Sequence, residues 1–151
     1  MYKILKMIDE KVLNMYKASN NFGALLEMDL EVLEEGQAKY ILEIKEKHLA
    51  TPIAAHGGVV AGLIDGTLGV AALTISGKSG NVVSTVELQV NFLKPVVLGD
   101  KLTSIGNVIS AGKRLLYVEA SVTNQKGILV AKASGTFNAY PAEKAFKVME
   151  E

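Results

Sequence analysis

The sequence predicts an α+β fold, a curved and largely antiparallel sheet wrapped around one long central helix, with a further helix at the N-terminus. Three observations carry that expectation. Residues 57–75 are apolar around most of a helical circumference, so this helix should be enclosed rather than laid on a surface. The segments on either side switch to a period of two, the alternation of half-buried strands. The breaks between the later segments are short, which favours antiparallel neighbours.

Taken in order, residues 2–18 place Ile4, Leu5, Ile8, Val12, Met15 and Tyr16 at the spacing of an amphipathic helix. Ser19-Asn20-Asn21 with Gly23 marks its end. Leu26, Met28, Leu30 and Val32 then alternate with charged neighbours. Glu35-Gly36 turns the chain, and Tyr40, Leu42 and Ile44 resume the alternation, completing a hairpin. The central helix ends at Gly77-Lys78-Ser79-Gly80. Beyond it, Val82, Val86, Leu88, Val90 and Phe92 share one face of a strand, with Thr85, Glu87, Gln89 and Asn91 on the other. Lys94-Pro95 and Leu98-Gly99-Asp100 break that strand, and three more follow near 101–111, 114–125 and 128–140. Residues 1–151 are expected to form one domain, with 1–20 as the N-terminal helix and 24–140 as the core. Such a sheet ends in two exposed edges, so edge-to-edge pairing of protomers is expected.

Composition narrows the function. Sixteen basic residues cancel sixteen acidic ones, so nothing global steers the chain toward nucleic acid or an anionic membrane. The absence of cysteine excludes a disulfide framework, a thiolate metal site and a cysteine nucleophile. Two histidines, His48 and His56, are too few for a zinc triad without carboxylate help, and no metal is expected. His48 reads as a surface loop residue. Lys3, Lys6, Asp9, Glu10 and Lys11 interrupt any signal-peptide apolar region. Val59 to Ile75 is at the short limit for a membrane span, and its central Asp65 would cost about 2.5–3.5 kcal/mol on insertion scales. The expectation is a cytoplasmic protein with neither membrane nor nucleic acid as partner.

Asp65 is the one charge in HGGVVAGLIDGTLGVAA, residues 56–72. A carboxylate in a buried helix can be a structural hydrogen-bonding group or a chemical one. Gly57 and Gly58 favour the second, because they leave backbone N–H groups unobstructed at the positive end of the helix dipole, able to hold a carbonyl oxygen as it becomes an oxyanion. Gly58 and Asp65 are seven residues apart, about 10 Å along a helix axis. Reacting groups must lie within about 3–3.5 Å of a common centre. Two such helices running antiparallel across a dimer axis meet that requirement, so a site using both groups belongs to two subunits.

His56-Gly57-Gly58, six residues, Asp65, then Gly69 and Ala71 resembles the HGG-x6-D-x3-G-x-A pattern of hotdog-fold thioesterases. The likeness is to the phenylacetate-degradation-type branch of the 4-hydroxybenzoyl-CoA thioesterase-like superfamily. It extends over about residues 24–140 and includes Ser84 to Pro95 with Leu98-Gly99-Asp100. The resemblance implies a hotdog fold and cleavage of an acyl-CoA thioester by a homodimer or a dimer of dimers, with no cofactor beyond the CoA of the substrate. By position, Asp65 matches the catalytic carboxylate, as nucleophile or as general base on water. Gly57, with Gly58 beside it, matches the oxyanion-binding amide, and Thr85 a hydroxyl that assists the carboxylate. Leu63, Leu68 and Phe92 are expected to line an acyl pocket between helix and sheet. His56 is expected to fix the loop or cap the helix next to the substrate. Lys113 and Arg114 are candidates for the CoA phosphates. Relatives carry an asparagine six positions before the histidine; here Ala50 stands there, and Thr51 is the neighbouring group that could replace it. Two alternatives remain from sequence, a non-catalytic acyl-CoA-binding protein and a dehydratase using a histidine base.

Overall fold

The computed structural model describes residues 10–147. Helix α1 is Glu10–Ser19, with Lys17 in its last turn, where a positive charge complements the helix dipole. Residues 2–9 of the expected helix lie outside the described residues. Asn20 does not end the helical region. Its side chain accepts the Gly23 N–H at 3.0 Å and so starts a second short helix, α2, Asn21–Leu26. Gly23 is no breaker here: a Cβ at that position would lie 2.4 Å from the Asn20 side chain. Leu26 therefore closes α2 as a buried residue instead of opening a strand. Glu27 then takes a left-handed conformation, φ 61°, that redirects the chain.

Strands β1, Asp29–Glu34, and β2, Gln37–Glu43, form the predicted hairpin through Glu35-Gly36, where Gly36 has φ 77°. A 3-10 turn, Glu46–His48, follows, and it corrects the placing of His48. The imidazole is 1% exposed, not on the surface. Its Nδ1 accepts the Lys45 N–H at 3.0 Å, and its carbonyl accepts the His56 N–H at 2.8 Å. The ring closes its own turn and is carried inward with it.

Helix α3 is Gly57–Ser76, and it is followed by β3, Asn81–Phe92; β4, Lys101–Ala111; β5, Leu115–Thr123; and β6, Leu129–Pro141. A last short helix, α4, Ala142–Lys147, has no counterpart in the sequence expectation. The sheet order is β1-β2-β4-β5-β6-β3, antiparallel throughout. The chain crosses over after β3, because β3 pairs with β6 while β4 pairs with β2 and β5. This leaves β3 and β1 at the two edges.

The sheet wraps α3 as predicted. Leu63, Ile64, Leu68, Val70, Ala71 and Ala72 are fully buried. Helix and sheet approach closely at Gly106 of β4, where a Cβ would come within 3.2 Å of the Thr67 carbonyl oxygen. Thr67 Oγ1 is hydrogen-bonded to Ser104 Oγ at 2.8 Å, so the buried polar pair is satisfied. Gly57–Ser79 is long and apolar enough to cross a membrane by length and composition, and more than half of it is buried inside the fold. The core accounts for that apolarity.

Several ladders carry register shifts, and the one in β3 bears on the site. Thr85 pairs with Phe137 and Glu87 with Thr136, so Val86 is a bulge residue left out of the ladder. Val83 and Thr85 face the helix before the bulge, opposite Ala139 and Phe137, and Leu88 and Val90 face it afterwards, opposite Gly135 and Ala133. The sequence expectation put Thr85 and Leu88 on opposite faces. The extra residue shifts the period by one and brings them to the same side.

Candidate active site

The start of α3 is held by two short bridges, Leu49 to Ala55 and Ala54 to Val97, with the Ala55 N–H donating to Val96 O at 2.9 Å. His56 arrives with extended backbone, φ −65° and ψ 131°, and its Nδ1 accepts the Gly58 N–H at 2.8 Å. It is the N-cap of α3. A Cβ on Gly58 would sit 2.8 Å from that same nitrogen, so the glycine makes room for the capping ring. The consequence corrects the role expected of Gly58. Its amide is occupied by the cap, whereas the Gly57 N–H, at the first helical position, has no acceptor among the described residues. Gly57 is exposed, and the Phe92 ring lies 3.5 Å from where its Cβ would be.

Asp65 is half-buried, eight residues further along the same helix. The Val86 bulge turns Thr85 toward it, and Thr85 Oγ1 donates to Asp65 Oδ1 at 2.8 Å. Oδ2 has no protein donor among the described residues. Since α3 is continuous from Gly57 to Ser76, Gly57 and Asp65 are about 12 Å apart along its axis. One chain therefore assembles the Asp65–Thr85 pair but does not bring Gly57 to it.

Beside Asp65 and Thr85 is a cavity of about 220 Å³ between α1, α3 and β3. Its walls include Val12, Met15 and Tyr16 of α1, together with Leu73, Val83 and Phe137. Tyr16 Oη and Tyr40 Oη are 3.0 Å apart, and Asn20 Nδ2 donates to Tyr16 Oη at 3.1 Å. Burial pushes the Tyr16 phenol above its ordinary value despite the Tyr40 hydrogen bond, and the Asp65 charge adds to the rise. Tyr40 is raised further, by burial first and by Tyr16 second. Both phenols stay neutral near neutral pH. Val12, Met15 and Tyr16 lay on the apolar face expected of the N-terminal helix, but nothing local indicated that this face meets Asp65.

Three expected pocket residues are placed elsewhere. Leu63 and Leu68 are 0% exposed and belong to the packed core, not to this cavity. Both belong to the buried cluster packed between helix and sheet. Phe92 is 56% exposed and adjoins the glycine pair at the helix start. Thr51 Oγ1 accepts the Ala54 N–H at 3.0 Å, closing the turn that leads to His56. Lys113 and Arg114 are exposed in the β4–β5 turn, and Lys113 borders a cleft with Ile75 and Ser76 at the far end of α3. Among the described residues no three His, Asp or Glu side chains converge on a point.

A six-stranded antiparallel sheet around one helix, with a free amide at the helix start and a carboxylate along its side, defines the hotdog class. Residues 54–131, more than half of the chain, match the model of the thioesterase superfamily, and the chain belongs to that superfamily. It is accordingly a thioester hydrolase. A Saccharolobus solfataricus protein with a provisional esterase name is 32% identical over 88% of this chain and 90% of its own length. Human acyl-coenzyme A thioesterase 13 is 25% identical over 90% of this chain and 96% of its own length. Among solved structures, the Escherichia coli PaaI protein from the phenylacetic acid degradation operon superimposes with a TM-score of 0.77 at 23% identity, covering 85% of this chain and 90% of PaaI. A Streptococcus mutans UA159 protein solved with bound acetyl CoA gives a TM-score of 0.69 at 30% identity, over 76% of this chain and 89% of its own.

Proposed function

We propose that the protein hydrolyses acyl-CoA thioesters carrying a small to medium acyl or aryl group, at a site shared by two protomers. The observation that carries this reading is the 2.8 Å Thr85–Asp65 hydrogen bond at the wall of a cavity, with an unoccupied Gly57 amide about 12 Å away on the same helix. The acetyl CoA bound to the Streptococcus mutans relative supports the substrate class.

In this mechanism the thioester carbon sits between Asp65 of one protomer and the Gly57 N–H of the other. Asp65 takes the proton of an attacking water, or attacks with its own oxygen, while Thr85 holds the carboxylate in place. The carbonyl oxygen gains a negative charge, which the Gly57 N–H and the α3 dipole stabilise. Collapse breaks the carbon–sulfur bond and expels the CoA thiolate. In the water route, the proton held by Asp65 passes to the leaving sulfur. In the nucleophilic route, water then cleaves the acyl anhydride formed on Asp65, releasing the acid, restoring the carboxylate and supplying the thiol proton. His56 acts by capping, which reserves Gly58 for the helix and leaves Gly57 for the substrate. Lys113, followed by Arg114 in the same turn, borders a cleft at the Ser76 end of α3. Ser76 is about 16 Å along the helix axis from Asp65, a span suited to the phosphate end of CoA and not to the acyl end.

Two substitutions and their mixture test the shared site. Asp65→Asn should nearly abolish thiol release from acyl-CoA. Gly57→Pro deletes the amide at a helix position that tolerates proline, and the extended backbone of His56 already suits a following proline. Loss of this donor should lower kcat by about 100- to 1,000-fold. When the two inactive variants are unfolded and refolded together, hybrid dimers regain one intact site, and random pairing returns about a quarter of wild-type activity. No recovery from confirmed hybrids would show that the site is not shared. Tight acyl-CoA binding without turnover by the wild-type protein would replace hydrolysis with binding.

A further inference from the structure

We propose that α1 is the gauge for the acyl group: the cavity it walls takes an uncharged hydrocarbon tail, and Val12, Met15 and Gly69 set the limit on its length. The inference rests on the catalytic reading above and goes further by naming the class of acyl group.

Position comes first. Asp65 and Thr85 belong both to the reactive pair and to the cavity wall, so a tail attached to a carbonyl at Asp65 has this space next to it. Size comes second. A cavity of about 150 Å³ accommodates benzene, whereas sites for whole drug-sized ligands span about 300–1,000 Å³. At about 220 Å³ this one fits an aryl ring or a chain of several carbons, and not a CoA moiety.

Chemistry decides the class. Among the described residues, Asp65 is the only charged one in the lining. The other polar groups there are already engaged. Tyr16 Oη is bonded to Tyr40 and Asn20, Ser19 Oγ to the Met15 carbonyl at 2.7 Å, and Thr85 Oγ1 to Asp65. A hydroxyl or amine on the tail would lose water and find no free partner, and a second carboxylate would face the Asp65 charge. The walls are also placed to be decisive. The Tyr16–Tyr40 hydrogen bond joins α1 to β2 and sets the Tyr16 ring in the cavity wall. On the opposite side, Gly66 and Gly69 offer bare helix backbone. A Cβ on Gly69 would reach ordinary contact with the Phe137 ring at 3.5 Å, so alanine fits there while taking up cavity space.

The test is a profile of kcat/KM across straight-chain acyl-CoA thioesters from acetyl to palmitoyl, with benzoyl-CoA and succinyl-CoA added. Met15→Ala should move the optimum to longer chains and Gly69→Ala to shorter ones, with a change of about 10-fold or more per methylene past the limit. Succinyl-CoA should be about 100-fold poorer than butyryl-CoA, which has the same chain length. Opposite shifts from two variants cannot arise from a shared loss of folding. An optimum that neither variant moves, or that both move the same way, overturns the gauge; if hydrolysis then still depends on Asp65, the catalytic reading survives. If no acyl-CoA is hydrolysed in an Asp65-dependent manner, both fall.

Discussion

Thr85 reaches Asp65 because a single residue, Val86, is left out of the β3–β6 ladder. Without that extra residue, strand parity would keep Thr85 and Leu88 on opposite faces, and the hydroxyl could face the helix only if Leu88 and Val90 turned out of the core. His48 shows the same dependence of chemistry on placement. Burial pushes its imidazole below the ordinary histidine range, and the nearby Lys47 ammonium acts in the same direction. The unfolded chain therefore binds the proton more tightly than the folded one. Stability is full above the unfolded value of about 6.5 and falls as pH drops from there toward the lowered folded value. The Glu27 carboxylate, held down at about 2 by Lys45 and Lys47, loses its contribution only at more acidic pH. His48→Asn keeps an acceptor for the Lys45 N–H without a titrating ring. It should flatten the decline of Tm between about pH 7 and pH 5, and an unchanged slope would assign the decline to other groups.

At the scale of elements, α3 has a capped start and a half-buried carboxylate midway along it. His56 satisfies one of its orphan N–H groups, and deleting such a cap costs about 0.5–2 kcal/mol. Gly69, in the same helix, has helical backbone and room for a methyl group, so Gly69→Ala should stabilise by about 0.5–1 kcal/mol. Denaturant midpoints should thus move down for His56→Ala and up for Gly69→Ala, and equal directions would contradict the capping geometry. Much of this was legible in sequence. The HGG-x6-D spacing located the helix start and the carboxylate, and the glycine pair suggested amide donors. Which of the two amides is free was not legible, because that depends on one imidazole rotamer. The short α2 was missed because Gly23 normally signals an end, and only the Asn20 side chain shows why it is required here.

For the whole molecule, the free edge of β3 matters most. This strand of twelve residues is bonded to β6 on one side only, and Val86 on it is 62% exposed. A long edge strand is a ready surface for pairing, and pairing β3 with its copy runs the two α3 helices antiparallel beneath. Val86→Lys places a charge on that edge while leaving the core untouched. It should weaken dimerisation and lower activity per chain on dilution, read by sedimentation and thiol release at matched concentrations. A monomer with full activity would contradict the shared site.

Periodicity and one motif were enough to determine an enclosed helix, the strands around it and the place of a lone carboxylate within that helix, since each depends on residues close together in the chain. The tertiary structure alone decided that β3 lies beside β6, that Thr85 turns inward, that His48 is buried and that α1 closes the space beside Asp65. Those outcomes depend on register and on packing between distant segments, where a shift of one residue or the position of one ring changes which groups meet.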